Sequence, residues 1–194
     1  SELFTPLGQE LRALLHEVDQ SPSEENGVAL PAAVPVQEAL CREILAAIGF
    51  DFDRGRLDTT THPFCTGLGP HDVRITTRYH EDDCLDAISA ALHEGGHALY
   101  EQGVVAEHWG TPMGQAVSLG IHESQSRLWE NQVGRSLGFC HFLQALLGKR
   151  LPAAAGIDPE RLYAHLNRVT PGFIRVESDE ISYNLHIILR FELE

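Results

Sequence analysis

The chain has 194 residues, 43% hydrophobic and 22% charged, the make-up of one folded domain, which excludes extended disorder. Asp and Glu number 28 against 14 Lys and Arg, giving a net charge of −14 with Lys149 the sole lysine, so a nucleic-acid partner is not expected. No run reaches the roughly 18 consecutive apolar residues of a membrane helix, and Ser1–Glu10 lacks a signal's basic start and apolar run, so a soluble, cytoplasmic protein without membrane contact is expected.

Leu7, Leu11, Leu14, Leu15 and Val18 form a helical stripe that Pro6 can open. Residues 19–35 hold three prolines, several acids and Asn26-Gly27 without a usable period, which predicts a surface loop. A second helix follows with Val36, Leu40, Ile44, Leu45 and Ile48 on one face and Gly49 as its stop. Residues 50–80 are broken by glycine and proline, while the alternating, β-branched VRITTRY predicts at least one strand.

Acids at residues 81–83 then open a helix carrying Leu85, Ile88, Leu92 and Leu99 at helical spacing. A Gly/Pro-containing connection over residues 103–116 leads to a helical stretch, SLGIHESQSRLWENQVG, and a further helix over FCHFLQALLGKR. Asp158-Pro159 opens a short helix to about Arg168, Gly172–Val176 reads as a strand, and Ser178 or Asp179 caps a last helix. That helix is still running at Glu194, so the chain is expected to be cut from a longer one.

Eleven histidines direct attention to metal chemistry. The cysteines, Cys41, Cys65, Cys84 and Cys140, form no C-x-x-C pair and read as reduced, mostly buried thiols. His93-Glu94-Gly95-Gly96-His97 matches H-E-x-x-H, in which i, i+4 spacing sets two imidazoles on one helical face, able to grip one metal ion. A shuffled chain would contain the pattern about 0.06 times, so it counts because a helix is independently expected there. Gly95 and Gly96 each cost a mid-helix about 1 kcal/mol against alanine, which predicts that another backbone or a substrate comes close.

A catalytic zinc needs a third protein ligand and an open fourth position. Glu123, on the next predicted helix, is the candidate, with His122 as a competitor that points about 100° away from it. Residues 81–130 hold nine acids and one base, Arg127; most of these acids are expected to form a solvated face. Asp86 is either an outer acceptor for an imidazole N–H or a helix-start acid.

Five segments, HPF at His62–Phe64, DVRITTRY at Asp72–Tyr79, HEGGH at His93–His97, HESQ at His122–Gln125 and IRVESD at Ile174–Asp179, occur in one order. In them the chain resembles the metallocarboxypeptidases related to carboxypeptidase Taq, over nearly all of residues 1–194. Members of that family are longer, so residues 1–194 are expected to be a single domain, the central fragment of a larger helical metallopeptidase. Their N-terminal helical region and a GxxQDxHW pattern have no match here, and Ser178 stands where they usually show alanine.

The resemblance implies zinc, or another divalent ion such as cobalt, held by His93, His97 and Glu123, with Glu94 as general base. A water made acidic by the ion would give its proton to Glu94 and attack a peptide carbonyl, and Glu94 would return the proton to the leaving amine. Tyr183 and His186, three apart on the last helix, are candidate donors to the developing oxyanion, against the plainer reading of Tyr183 as a core residue. In the family pattern Arg175 fits recognition of a substrate's α-carboxylate.

Arg74 either joins that task or pairs with a local acid, and His62 either lines the cleft or completes a turn. The fold expected is mainly α, a helical zinc-peptidase core with a small antiparallel β element. The expected function is a zinc-dependent carboxypeptidase hydrolysing C-terminal residues of peptides. The alternatives are an endo-acting zinc oligopeptidase and a non-catalytic fragment that the metal stabilises. Because members of the family tend to dimerise, a homodimer is an expected assembly.

Overall fold

A computed structural model describes residues 2–20, 27–175 and 178–194. As expected, the fold is mainly helical with a small sheet. The helices are α1 (Phe4–Asp19), α2 (Val34–Ile48), α3 (Cys84–Gly103), α4 (Leu119–Arg127), α5 (Leu137–Arg150), α6 (Pro159–Leu166) and α7 (Glu180–Leu193). The strands β1 (Gly55–Thr59), β2 (Cys65–Gly69) and β3 (Asp72–Thr77) lie between α2 and α3 in sequence. The chain divides into two compact units, Ser1–Val28 with Arg161–Glu194, and Ala29–Glu160.

In the unit Ala29–Glu160, α2 starts from extended Ala33 and stops at Gly49, whose φ of +103° is the left-handed cap expected of glycine. The sheet has the order β1-β3-β2. The β2–β3 pair supplies the antiparallel element expected, and β1 adds a parallel neighbour on the other edge of β3, so the sheet is mixed. Central β3 buries Val73, Ile75 and Thr77, and the Thr77 hydroxyl donates to the Ala87 carbonyl of α3 at 3.1 Å.

The surface-loop reading of residues 19–35 needs correcting. Residues 21–26 lie outside the described residues, but Val28, Leu30 and Ala32 are buried. Two backbone hydrogen bonds, Ala32 N–H to the Glu81 carbonyl and Cys84 N–H to the Leu30 carbonyl, tie this stretch to the start of α3. Period-2 burial without a strand of its own left no helical or turn signal to read.

Helix α3 begins at Asp83, whose carboxylate accepts the Leu85 N–H. Leu85, Ile88 and Leu92 are buried as their spacing predicts, but so are Ala91, Glu94, Gly95, Gly96 and Ala98. The sheet, α2 and α4 all pack against it, which makes it the central helix of the unit rather than one with a single buried stripe. Ser118 caps α4, a π-helical turn (Leu128–Val133) continues it, and Ser136 caps α5.

In the unit Ser1–Val28 with Arg161–Glu194, α1 packs on α7 through an edge-on Phe4–Phe191 pair and Ile188 against Gly8. Asp179 caps α7 by accepting from Ile181 N and Ser182 N, whereas the Ser178 hydroxyl donates to the Ile174 carbonyl. The predicted strand Gly172–Val176 is not formed over Gly172–Arg175, and Val176 lies outside the described residues. A strand needs a neighbour, and the elements described in this unit are helices.

Candidate metal centre

Helix α3 presents His93 and His97 one turn apart, with ring centroids 5.0 Å from each other. Gly96 faces α4, where a Cβ would stand 2.5 Å from the Gln125 carbonyl oxygen and 2.6 Å from Ser126 Cα. Gly95 faces Leu45 and Ile48 of α2. Neighbours do crowd the glycine pair, as its mid-helix cost predicts, and the bare backbone at residue 96 is what admits α4.

That close crossing carries Glu123 to the histidines. Its Oε2 lies 3.2 Å from His97 Nε2 and 3.8 Å from His93 Nε2, and it also accepts the Ser126 hydroxyl at 3.1 Å. Donor atoms from His93, His97 and Glu123 all lie within 4.8 Å of one another. Ligand bonds of 2.0–2.2 Å at tetrahedral angles would set such atoms about 3.3–3.6 Å apart, near the two separations from Glu123, so the set can hold a divalent cation.

Both imidazoles are oriented from behind. His93 Nδ1 donates to Glu130 Oε2 at 2.7 Å, and the same carboxylate accepts from Arg127 at 2.9 Å and Ser89 at 3.4 Å. His97 Nδ1 lies 2.6 Å from His122 Nδ1, and His122 Nε2 donates to Glu101 Oε1 at 2.8 Å. Each ligand histidine thus turns Nε2 toward Glu123.

The electrostatics fit a site of closely spaced charges. Burial works against ionised Glu123, yet its hydrogen bond to His97, the charge of His93 and the Ser126 hydroxyl bring it down to about 2. Partial burial also works against ionised Glu130, which is held below the usual carboxylate range by its His93 hydrogen bond and by Arg127. Burial disfavours the charged His93 ring, but Glu130, Glu94 and Glu123 hold it above its ordinary value. Glu94 is only 7% exposed, and burial pushes it up. The Cys65 thiol of β2 rises to about 12 through burial and the fields of Glu94 and Glu101.

The remaining sequence candidates are placed as follows. Arg74 makes two hydrogen bonds to the Asp72 carboxylate, both at 2.9 Å and both exposed. His62 is exposed in the segment between β1 and β2. In the other unit Arg175 donates to the Tyr183 hydroxyl at 2.8 Å, and His186 Nε2 donates to the Gly172 carbonyl at 2.9 Å. Asp86 pairs with Arg78 in the first turn of α3, as a helix-start acid does, and His122 sits behind His97 instead of in the donor cluster.

Beyond Glu94 and Glu123, already candidates, two more of the nine acids, Glu101 and Glu130, leave the expected solvated face. Glu94, Glu101, Glu123 and Glu130 all join the histidine network or its field. Glu101 stands one turn beyond His97 and Glu130 two turns beyond Glu123, so helical spacing from each ligand was the signal available for both.

Residues 1–194 match the family described as carboxypeptidase Taq (M32) metallopeptidase. Thermostable carboxypeptidase 1 of Thermus thermophilus is 49% identical, across 99% of this chain and 38% of its own. Carboxypeptidase 1 of Bacillus subtilis is 40% identical, across 100% and 39%. A crystal structure of an M32 carboxypeptidase from Deinococcus radiodurans superposes with a TM-score of 0.87 at 46% identity, over 100% of this chain and 40% of that one. The chain therefore spans about two fifths of the length of these relatives. A metal-ligand set formed by two crossing helices and a match along its whole length lead to one conclusion: the chain belongs to the carboxypeptidase Taq (M32) metallopeptidase family.

Proposed function

We propose that the chain supplies the catalytic centre of a zinc-dependent carboxypeptidase that hydrolyses C-terminal residues of peptides. The observation that carries this reading is the convergence of His93, His97 and Glu123 beside a buried Glu94. The relatives' names, carboxypeptidases in each case, support the reaction class. Zinc, or another divalent ion, would be held by these three residues and would acidify a water while polarising the substrate carbonyl.

Glu94 acts as general base and then general acid, taking a proton from the attacking water and returning it to the leaving amine. Burial raises it toward the working pH, where proton transfer is most effective. Arg175 offers a planar fork to the substrate's terminal carboxylate, with Arg74 and His62 as further substrate contacts. Tyr183 and His186 donate to the developing oxyanion. Arg175 rests on the family pattern, and the other four assignments rest on residue type and spacing. Three buried and unbridged cysteines, Cys41, Cys84 and Cys140, support a reducing, cytoplasmic setting.

The test compares Glu94→Gln with the parent. Bound zinc is expected to stay, while turnover falls by about 10²–10⁴-fold, the usual contribution of a positioned proton carrier. Amidating the substrate's C-terminus should also abolish cleavage. Undiminished cleavage of the amide assigns an endo-acting oligopeptidase instead, and equal turnover by Glu94→Gln removes Glu94 from the chemistry.

A further inference from the structure

His93 is backed directly by a carboxylate, whereas His97 is backed by a second imidazole to which the proposed chemistry gives no task. We infer that Gly67, Glu101 and His122 form a positioning relay, running from β2 to His97, that fixes His97 in the tautomer able to bind the cation. This rests on the cation site proposed above.

The proton positions follow from the partners. An ionised carboxylate only accepts, so Glu101 Oε1, 2.8 Å from His122 Nε2, requires the hydrogen on that nitrogen. A neutral imidazole carries one N–H, which leaves His122 Nδ1 with a lone pair. That lone pair faces His97 Nδ1 at 2.6 Å, so the single N–H of His97 sits there and its Nε2 keeps the lone pair on the Glu123 side. The opposite tautomer of His122 would either bring two N–H groups face to face or drive the His97 hydrogen onto Nε2, where the cation belongs.

Ring geometry agrees with this. The His97 and His122 centroids are 4.6 Å apart with planes only 28° from parallel. Nitrogens 2.6 Å apart lie between the two rings, so the rings meet edge to edge, the arrangement an in-plane N–H···N bond needs.

The outer end of the relay is seated on the sheet. A Cβ on Gly67 would stand 2.6 Å from Glu101 Oε2, so the β2 backbone lies directly against the carboxylate. Glu101 is one turn beyond His97 on α3, and His122 of α4 bridges them. Strand, central helix and crossing helix therefore each contribute one member, and together they hold the His97 ring with Nε2 toward Glu123.

Zinc affinity, read by competition with a chromogenic chelator, tests the relay. His122→Phe keeps a ring but offers no acceptor and should bind zinc about 10–100-fold more weakly, as outer-shell losses do. His122→Asn places an amide oxygen near the lost nitrogen and should recover most of that loss. Gly67→Ala displaces only the flexible end of Glu101 and should weaken zinc binding in the same direction as Glu101→Gln, by less than His122→Phe.

A long-range proton–nitrogen correlation spectrum of the metal-free chain, at a pH where the rings are neutral, should show His122 as the Nε2–H tautomer and His97 as the Nδ1–H tautomer. Equal loss in His122→Phe and His122→Asn, unchanged affinity in both, or a His122 Nδ1–H tautomer overturns the relay. A parent chain that binds no zinc overturns the cation site instead, and the spectrum still decides the relay.

Discussion

The metal centre and the Arg175–Tyr183–His186 group, which belong to different units, organise their polar atoms in opposite ways. At the metal centre, His93 and His97 have their Nδ1 atoms engaged from behind, and both Nε2 atoms approach one oxygen of Glu123. In the other group the polar atoms satisfy each other: Arg175 donates to Tyr183, and His186 donates to a backbone carbonyl. The first arrangement is ready for a ligand as folded. The second commits a donor each from Arg175 and His186 within the chain, each bond about 1 kcal/mol net.

Tyr183→Phe breaks the comparison most sharply. If the hydroxyl is freed to stabilise an oxyanion, turnover should fall by roughly 10²-fold with zinc content unchanged, the magnitude for one lost donor. Turnover at the parental level would mean that the Arg175–Tyr183 bond is purely structural. Gly96→Ala probes the other side. Its Cβ collides with the α4 backbone, so zinc affinity should fall on the order of 10-fold and stability by about 1–3 kcal/mol, measured by chelator competition and urea unfolding. Gly103→Ala, with nothing within 4 Å, serves as the control and should leave both unchanged or gain up to about 1 kcal/mol in stability. If the two variants behave alike, the helix crossing does not set the site.

The smallest effect is electrostatic and concerns the metal-free chain. Glu123 sits at about 2 against an ordinary 4.5, so its contribution to stability is complete above pH 4.5 and is lost as pH falls toward 2. Glu130, also lowered, works in the same direction. Glu94 is raised and works oppositely, adding stability below its ordinary value that disappears as pH rises through its higher folded value. Urea midpoints should therefore decline between pH 4.5 and 2, and Glu123→Gln should make that decline shallower. A parallel profile in the variant would show that Glu123 is not held by the histidines.

What the sequence made legible was local and periodic. His93, Glu94 and His97 share one helix, so their arrangement follows from 3.6 residues per turn, and the cost of Gly95 and Gly96 foretold crowded neighbours. Glu123 required only that a return helix lie alongside. The parallel pairing of β1 with β3 was not legible, because strand partners are chosen across the fold and the intervening β2 is the nearer candidate. Glu101 and Glu130 stand at helical spacing from His97 and Glu123, but carboxylates facing water occur at such spacings too, so the signal did not single them out among many acids. The π turn at Leu128–Val133 carries an ordinary helical pattern and betrays itself only in its hydrogen bonds.

The Cys65 thiol of β2 lies in the field of Glu94 and Glu101. With Cys65 at about 12, almost no thiolate exists at neutral pH in the metal-free chain, so β2 offers no ready nucleophile. Peroxide therefore finds no ready thiolate to oxidise there. Burial, reinforced by the acids that gather around the histidines, thereby keeps this thiol protonated.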